Sequence, residues 1–455
     1  MARWEDIVVG GGLVGAAVAR RLAEGGRRVV IVEKGRAVTA VPGEHLRNGS
    51  AMQQNPDGFF GEIDQYFDYV DPGSAPAGLP GAFTTNISGG MGIAWTNNCP
   101  RAIEGVDRPA LFERSEWNQM YAQAERHLSV RSDQFEDSAR GHIALDRLAS
   151  FVGGQGRELT SLPLSGVRTA PERIRYIAPA DILRGAAGDV DEVVGAVERV
   201  LFEGSRTTGV VIEGETIQAQ NVIICAGSVE TPMLLWRSGV TSEALGRHLS
   251  FHPVLMAQVV LDSQELADLE GPDPLPRICI PPTIERPWLT MLLRDTNPFE
   301  VESGDHDVPP NQLIEIQVFQ PIEPTADNRM FMSDGIVRFD VPMREADLAR
   351  KAAIEQDVQE LGRLLGRFRG GCHPQWAAFG TPHLMGSCRM GDVDDGRSVV
   401  DEDGRLWGTQ NLFVASNGVI PSALAVNPTL TTIAIALRTA DRINGALEPR
   451  ERSVG

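Results

Sequence analysis

Residues 5–33, EDIVVGGGLVGAAVARRLAEGGRRVVIVE, contain the pattern from which the fold can be predicted. Its first apolar run, at 5–9, predicts a short buried strand, and the apolar residues of 13–24 recur at helical spacing. A GGRR turn follows, and VVIVE at 29–33 predicts a second buried strand. A strand, a helix and a second strand in this order are typical of the start of a parallel α/β sheet.

Three glycines of this stretch follow the spacing GxGxxG, at Gly10, Gly12 and Gly15. The first permits a tight turn, the second lets the backbone approach a pyrophosphate, and the third lets the helix pack close to the sheet. Glu33 ends the second strand, where an acid can bind the ribose hydroxyls of an adenosine. Because the strands, the helix and the acid follow each other at the expected spacing, we expect a dinucleotide site.

Two distant segments favour FAD over NAD as the dinucleotide. Residues 89–92, GGMG, form a second Gly-rich run, and the chain returns at 407–445 with a strand, a turn and a helix. FAD lies extended, so a far segment must cover its flavin end, whereas an NAD domain usually closes without such a return. We therefore expect FAD, with Gly90 and Met91 beside it.

Composition and charge exclude several classes of protein. The 42 basic and 61 acidic residues give a net charge of −19, which would repel nucleic acids and anionic membranes. The five cysteines are widely spaced without a CxxC pair, so we expect a reducing compartment with neither a disulfide framework nor a metal site. The first strand leaves no room for a signal peptide, and no apolar run approaches the ~20 residues of a membrane span. We therefore expect a cytoplasmic protein.

The length of 455 residues suits two domains. Residues 40–80 are rich in Gly, Pro, Asn and Asp and predict a surface excursion, whereas strand-like runs at 255–345 predict a mainly antiparallel sheet. We expect an α/β, Rossmann-like FAD-binding domain and an α+β substrate-binding domain. The expected FAD-binding domain comprises residues 1–110, 165–254 and 375–455, and the expected substrate-binding domain comprises residues 111–164 and 255–374.

Two polar residues of the C-terminal block are candidates for chemistry. His383 precedes a Gly-rich turn, and Asn427 precedes Pro428 at the start of the last predicted helix. Taken alone, His383 is as well explained by a loop histidine bonded to a carbonyl, and Asn427 by a helix N-cap. His252, in LSFHP, is better explained as a structural loop histidine than as a second base.

The C-terminal block contains five short motifs: H-x-M-G, V-x-D, G-x-x-N-L-F, I-P and N-P-T-L-T, at 383–386, 399–401, 408–413, 420–421 and 427–431. With these motifs the block resembles the glucose-methanol-choline (GMC) oxidoreductase family, in particular its pyranose oxidase branch. Two longer segments extend the resemblance: IQVFQPIEPTADNRMFMSD (316–334) resembles the substrate-domain strand pair, and WLTMLLRDTNPFE (288–300) resembles the strand and mobile loop that gate the site.

The resemblance implies an FAD-dependent oxidation of a secondary hydroxyl, at C2 or C3 of a pyranose sugar or glycoside, to a keto sugar. His383 would be the general base, Asn427 would hold the substrate oxygen, and the hydride would pass to flavin N5. The reduced flavin would be reoxidised by O₂ or by another acceptor such as a quinone. The compact chain is similar to bacterial oxidases that act on C-glycosides at C3, and its missing oligomerisation arm implies a monomer or weak dimer.

The resemblance also implies further binding residues. For the cofactor these are Thr96 near flavin N5 and O4, Val197 and Ala226 beside the adenosine, Ser416 where many members carry an Asp, the following Asn417, and Thr429 in the last helix. For the substrate they are Asp295, Phe299, Gln317 and Phe319.

One position departs from the pyranose oxidase pattern. In that branch the Gly-Gly-Met run is followed by a histidine bonded covalently to the flavin, then by Trp-Thr. Here Ala94 stands at the histidine position, before Trp95 and Thr96. Because alanine cannot form that bond, we expect non-covalent FAD. Two alternatives stay open: oxidation of a non-sugar alcohol such as a sterol, an aryl alcohol or choline, and a non-catalytic FAD-binding redox partner.

Overall fold

The structure, a computed structural model, describes residues 4–49, 53, 58–71, 77–79, 81–170, 173–186, 188, 190–271, 273–295, 298–377 and 383–447. In the described residues the α-helices are α1 (Leu13–Glu24), α2 (Phe59–Asp64), α3 (Arg114–His127), α4 (Ala139–Gly154), α5 (Pro179–Arg184), α6 (Gly227–Arg237), α7 (Gln264–Ala267), α8 (Glu345–Leu365) and α9 (Thr429–Ile443).

The strands, in chain order, are β1 (Asp6–Val9), β2 (Val29–Glu33), β3 (Phe67–Tyr69), β4 (Phe83–Thr85), β5 (Val130–Arg131), β6 (Thr160–Ser161), β7 (Leu164–Ala170), β8 (Arg173–Tyr176), β9 (Val190–Val194), β10 (Val197–Glu203), β11 (Arg206–Ile212), β12 (Glu215–Gln218), β13 (Asn221–Ile224), β14 (Val254–Val260), β15 (Ile278–Ile280), β16 (Leu289–Leu293), β17 (Leu313–Phe319), β18 (Arg329–Ser333), β19 (Ile336–Asp340), β20 (Arg367–Phe368), β21 (Gln375–Trp376) and β22 (Leu412–Val414).

A parallel sheet of order β22-β13-β1-β2-β9 forms the dinucleotide half of the molecule. Every residue of β1 and β2 is buried, as expected for strands covered by helices on both faces. Helix α1 packs against α9, which returns from the far end of the chain. The predicted strand–helix–strand start of a Rossmann-like fold is confirmed.

The second sheet has the order β20-β14-β17-β16-β15-β6, with β21 also paired to β14. Its pairs are antiparallel, which confirms the mainly antiparallel sheet expected at 255–345. Helices α4 and α8 contribute apolar residues to the core cluster on one face of this sheet. The polar side chains of β17 that concern the site are therefore held on a rigid element.

Residues 40–80 depart from the surface excursion that we expected. His45, Arg47, Phe59 and Ile63 are buried. Phe59 and Ile63 pack with Ala94 in one apolar cluster, and the Arg47 guanidinium stacks 4.0 Å from the centre of the Phe59 ring. The prediction missed these buried residues, because the scattered apolar residues of this stretch follow neither a helical nor a strand period. Arg47 is buried with a carboxylate partner, Asp295, that comes from a distant loop.

Helix α3 lies in a segment that we expected in the substrate-binding domain. It packs against α9, and Tyr121 Oη lies 2.9 Å from Thr431 Oγ1. The domain boundaries given above stay a prediction. In the part of the chain that the structure describes, no helix is both long enough and apolar enough to cross a membrane.

Candidate active site

A cavity of about 670 Å³ opens where β1, β2 and β13 end at the carboxyl edge of the parallel sheet. Ligands of open α/β sheets bind at this edge, and the volume lies in the range of small-molecule sites. The cavity wall includes the predicted residues Gly10, Gly12, Glu33, Gly90, Met91, Thr96, Val197, Ala226, His383, Ser416, Asn417, Asn427 and Thr429. The fold thus brings both ends of the chain to one cavity.

The three glycines of the first turn have different neighbours. Gly10 has a φ of +102°, and a Cβ there would lie 2.8 Å from the carbonyl oxygen of Cys225. A Cβ on Gly15 would lie 1.9 Å from the carbonyl oxygen of Gly10. A Cβ on Gly12 would meet only Gly89, at 3.7 Å. The protein itself therefore requires Gly10 and Gly15, whereas Gly12 leaves room in the cavity wall for a ligand.

The carboxylate of Glu33 is positioned by backbone donors. The Gly11 N–H donates to Oε2 at 2.7 Å, and the Gly35 N–H donates to Oε1 at 2.5 Å. Burial raises the pKa of Glu33 above its usual value. Because an ionised carboxylate accepts about four hydrogen bonds, lone pairs remain for the hydroxyls of a ribose.

The Gly-rich loop continues into a short 3₁₀ helix, Gly90–Ile93, on the cavity wall. A Cβ on Gly92 would lie 2.8 Å from the side chains of Leu13 and Pro179, so the loop packs closely on the first turn of α1. Thr96 Oγ1 accepts a hydrogen bond from Asn98 Nδ2 at 3.2 Å, and both residues line the cavity.

His383 is half-buried in the cavity wall and contacts a second histidine. Its Nδ1 lies 3.0 Å from Nδ1 of His252, and His252 Nε2 lies 2.6 Å from the carbonyl oxygen of Leu424. Burial and the neighbouring His252 lower the pKa of His383 well below its usual value. His383 is therefore a neutral imidazole near pH 7, which is the form that can accept a proton.

Asn427 is buried at 3% exposure, just before helix α9. Its Oδ1 has no hydrogen-bond partner within the described chain, although the residue lines the cavity. The N-cap of α9 is Pro428, and no side chain caps it there, so the capping interpretation of Asn427 is wrong. An amide that caps no helix is available to a ligand.

Two neighbouring polar residues, Ser416 and Asn417, are already engaged. Ser416 Oγ accepts from the Gly418 N–H at 3.1 Å, and Asn417 Oδ1 accepts from Thr432 Oγ1 at 2.6 Å. These bonds orient the turn before α9 so that Ser416, Asn417 and Thr429 line the cavity together.

The two predicted substrate residues of β17 lie behind the histidines. Phe319 stacks on His252, with ring centroids 5.2 Å apart, and meets His383 edge-on at 4.8 Å. Gln317, two residues earlier and on the same face of the strand, is buried, and its Nε2 has no hydrogen-bond partner among the described residues. Neither residue belongs to the cavity wall described above.

Asp295 is fully buried rather than part of a surface turn. It accepts two hydrogen bonds from Arg277, at 2.9 and 2.6 Å, and lies 3.5 Å from Nη1 of Arg47. Phe299 is half-buried and packs against the main core cluster. The segment 288–300 that we compared with a mobile gate is thus anchored at Asp295, and its residues 296 and 297 lie outside the described chain.

Arg47 and Asn98 line the cavity but were not identified from the sequence. Arg277 links Asn98 to Asp295, because its Nη1 also donates to Asn98 Oδ1 at 2.8 Å. Arg47 contacts Asp295 directly. No motif marked these residues, since they come from separate loops that only the fold brings together. The contact between His252 and His383 was missed for the same reason, because the two residues are 131 positions apart.

The fold and the cavity define a dinucleotide-binding α/β protein with a His–Asn site at the carboxyl edge of its sheet. Models described as GMC oxidoreductase match residues 182–254 and 348–436, and a model described as an NAD(P)-binding Rossmann-like domain matches residues 8–61. The chain thus carries two segments that match GMC oxidoreductase domains. GMC oxidoreductases bind FAD.

Known proteins resemble the chain over nearly its whole length. A C-glycoside 3-oxidase from Microbacterium trichothecenolyticum is 28% identical, covering 97% of this chain and 96% of that protein. A pyranose 2-oxidase from Lyophyllum shimeji is 25% identical, covering 97% and 91%. The crystal structure of pyridoxine 4-oxidase from Mesorbium loti shares the fold, with a TM-score of 0.68 at 17% identity, covering 98% of this chain and 100% of that chain.

Proposed function

We propose that the protein catalyses the FAD-dependent oxidation of a secondary hydroxyl, at C2 or C3, of a pyranose or glycoside to a keto sugar. C-glycosides are included among the substrates. The observation that carries the proposal is the continuity of one cavity from the GxGxxG turn to His383 and Asn427. The sugar oxidases among the relatives, which match almost end to end, support the substrate class.

FAD fits the residues of this cavity. Gly12 leaves space where a pyrophosphate would need it, and Glu33 is oriented for ribose hydroxyls. Val197 and Ala226 would lie beside the adenosine, and Thr96 beside flavin N5 and O4. The remaining residues that would hold FAD are Gly10, Gly15, Gly90, Met91, Ser416, Asn417 and Thr429. When bound, FAD accepts the hydride from the substrate carbon.

The protein groups supply the rest of the chemistry. His383 takes the hydroxyl proton as general base, an effect typically of ~10²–10⁴ in rate. Asn427 holds the substrate oxygen with its amide and donates a hydrogen bond as charge develops there. The helix dipole of α9, whose first residue lines the cavity, favours negative charge at this end of the site. Gln317, Phe319, Asp295 and Phe299 lie outside the cavity wall, so their expected contacts with the sugar remain a prediction.

FAD is held without a covalent bond, because Ala94 has no side chain that could form one. Ala94 is buried at 3% exposure and packs with Phe59 and Ile63, so apolar side chains fill its surroundings. Precipitating the holoenzyme with acid should release the flavin into the supernatant. Yellow colour left in the washed pellet would overturn this part of the proposal.

The remaining features complete the proposal. The electron acceptor is O₂ or a quinone-type compound, and the protein is a cytoplasmic monomer or weak dimer that binds neither nucleic acid nor membranes. Reoxidation rates of the reduced holoenzyme with O₂ and with a benzoquinone would decide the acceptor. Sedimentation at several protein concentrations would decide the oligomeric state.

The proposed reaction is tested by anaerobic mixing. The holoenzyme is mixed with D-glucose, a C-glycoside, an aryl alcohol and choline, and the loss of oxidised-flavin absorbance is followed. We expect reduction by at least one sugar and ~10²–10⁴-fold slower reduction in His383→Ala. NMR of the product places the ketone at C2 or C3. Reduction by the non-sugar alcohols alone would contradict the sugar assignment.

A further inference from the structure

His252 connects the two candidate catalytic elements. It lies just before β14, is 1% exposed, and contacts His383 through Nδ1 and the Leu424 carbonyl through Nε2. We propose that His252 is a positioning residue, which fixes His383 in the tautomer whose Nε2 is unprotonated and free to act as the base. The inference deepens the proposed function and rests on it for its catalytic meaning.

The hydrogen-bond partners determine both tautomers. A carbonyl oxygen only accepts, so the 2.6 Å contact with Leu424 requires a proton on His252 Nε2. Burial lowers the pKa of His252 to about 4, so near pH 7 the ring is neutral and its Nδ1 carries a lone pair. His383 must then donate its Nδ1–H across the 3.0 Å contact. A neutral His383 that is protonated at Nδ1 has its lone pair at Nε2.

The acceptor lone pair of a neutral His252 also opposes the lowering of the His383 pKa that burial causes. When the substrate O–H bond breaks, a new N–H bond forms at His383 Nε2 and the ring becomes an imidazolium. The proton at Nδ1 stays in place, and its hydrogen bond to His252 becomes charge-assisted, which is roughly twice as strong as a neutral one. His252 thus has the orienting task that a carboxylate performs in a catalytic triad, without adding a charge.

Two further contacts keep the His252 ring in position. Phe319 stacks on it with an interplanar angle of 17°. Leu424, which accepts from Nε2, lies three residues before Asn427 in the same turn. The chain of hydrogen bonds therefore ties the His383 loop to the turn that carries Asn427, and so couples the positions of base and amide.

The first test observes the tautomer directly and needs no substrate. The holoenzyme is labelled with ¹⁵N-histidine, its eight histidines are recorded by ¹H–¹⁵N correlation at neutral pH, and His383→Ala identifies the His383 signals. We expect Nδ1 to carry the proton and Nε2 to show the shift of an unprotonated nitrogen. A proton on Nε2 of His383 would overturn the proposal, whatever the substrate proves to be.

The second test uses a matched pair of variants. His252→Asn keeps an acceptor near the place of Nδ1, whereas His252→Phe keeps the ring and its stack on Phe319 but has no acceptor. Orienting partners of functional histidines are typically worth 10–100-fold. We therefore expect flavin reduction by sugar to slow 10–100-fold in His252→Phe and to remain within a few-fold of wild type in His252→Asn.

A merely structural role gives a different pattern. Both variants would then lose melting temperature, FAD content and rate alike, and the pH profile of reduction would keep its shape. We expect instead that the apparent pKa of the base changes in His252→Phe and is restored in His252→Asn. An unchanged rate and profile in His252→Phe would overturn the proposal. If no sugar reduced the wild-type flavin, the proposed function would fail while the tautomer measurement still stood.

Discussion

In the dinucleotide turn, Gly15 is required for the packing of the fold, whereas Gly12 is required for the space that the cofactor occupies. A Cβ on Gly15 would collide with the Gly10 carbonyl, whereas a Cβ on Gly12 meets nothing closer than 3.7 Å. We predict that Gly15→Ala destabilises the protein by about 1–3 kcal/mol, as overpacking typically does. Gly12→Ala should leave the apoprotein stable but weaken FAD binding, because the methyl group occupies space that the pyrophosphate requires.

The two glycine variants serve as controls for each other. Thermal unfolding of the apoproteins measures the effect on the fold, and titration with FAD measures the effect on the ligand. A Gly12→Ala protein that bound FAD as tightly as wild type would contradict our placement of the pyrophosphate.

At Asn427 we expect a substitution that keeps or raises stability to lower activity. Its buried Oδ1 lacks a partner in the described chain, and such a group costs about 1–3 kcal/mol. We predict that Asn427→Leu, of similar size, melts at or above the wild-type temperature, while flavin reduction by sugar falls ~10²–10³-fold through loss of the amide donor. A variant with wild-type reduction rates would show that the amide takes no part in the reaction.

At this scale, motifs identified some residues and missed others for clear physical reasons. His383 and Asn427 belong to contiguous family motifs, so the sequence alone predicted both. Arg47 and His252 depend on partners far away in the chain, Asp295 and His383 respectively, and no local pattern carries that information. The sequence also did not predict that Pro428 is the N-cap of α9. Asn is a favoured N-cap residue, but in this fold the Asn427 side chain makes no capping hydrogen bond to the helix.

At the scale of elements, the turn at 422–427 is held in place by Asp107. The Ser422 hydroxyl donates to the Asp107 carbonyl at 3.2 Å, and the Ala425 N–H donates to its carboxylate at 2.9 Å. Burial raises the pKa of Asp107 to about 6, even though backbone N–H donors, including that of Ile103, oppose the shift. Ionisation of this one carboxyl is thus linked to the turn that presents Asn427.

The direction of the linkage gives a prediction for pH. A carboxyl whose pKa is raised on folding stabilises the fold below its usual pKa of 3.8, and this contribution is lost as pH rises through about 6. We predict that, between pH 4 and 7, wild type loses up to about 3 kcal/mol relative to Asp107→Asn, which cannot ionise. Unfolding by urea at several pH values measures this, and parallel curves would contradict it.

Local patterns predicted several elements closely. Helix α1 and strand β2 lie at the predicted 13–24 and 29–33, because short-range spacing of apolar residues determines both. The buried residues within 40–80, such as Phe59 and Ile63, were missed because they pack on the loop that holds Met91 and Ala94 rather than forming a regular apolar face of their own. The composition of 40–80 predicts a polar surface segment, although its few apolar residues, such as Phe59 and Ile63, are buried.

At the scale of the whole molecule, the cavity is built from several distant parts of the chain. Its wall combines the first βαβ unit, the loop that holds Ala94, the start of α6, and the turn before α9. A ligand that touches all of these segments would link them. The sequence predicted the two sheets and the return of the C-terminal segment, but not the packing of α9 on α1 that brings this segment to the cavity.

The enclosure predicts that FAD stabilises the entire protein and does so reversibly. A ligand that binds only the folded state adds RT ln(1 + [L]/Kd), or about 2.7 kcal/mol at one hundred times Kd. Because Ala94 permits no covalent bond, the melting temperature of apoprotein should rise continuously with added FAD. Gly12→Ala should give a weaker rise, and Ala94→Gly, which leaves the pyrophosphate site unchanged, should follow wild type. A melting temperature independent of FAD concentration, in a protein that stays yellow after acid precipitation, would show that the flavin is attached at another residue.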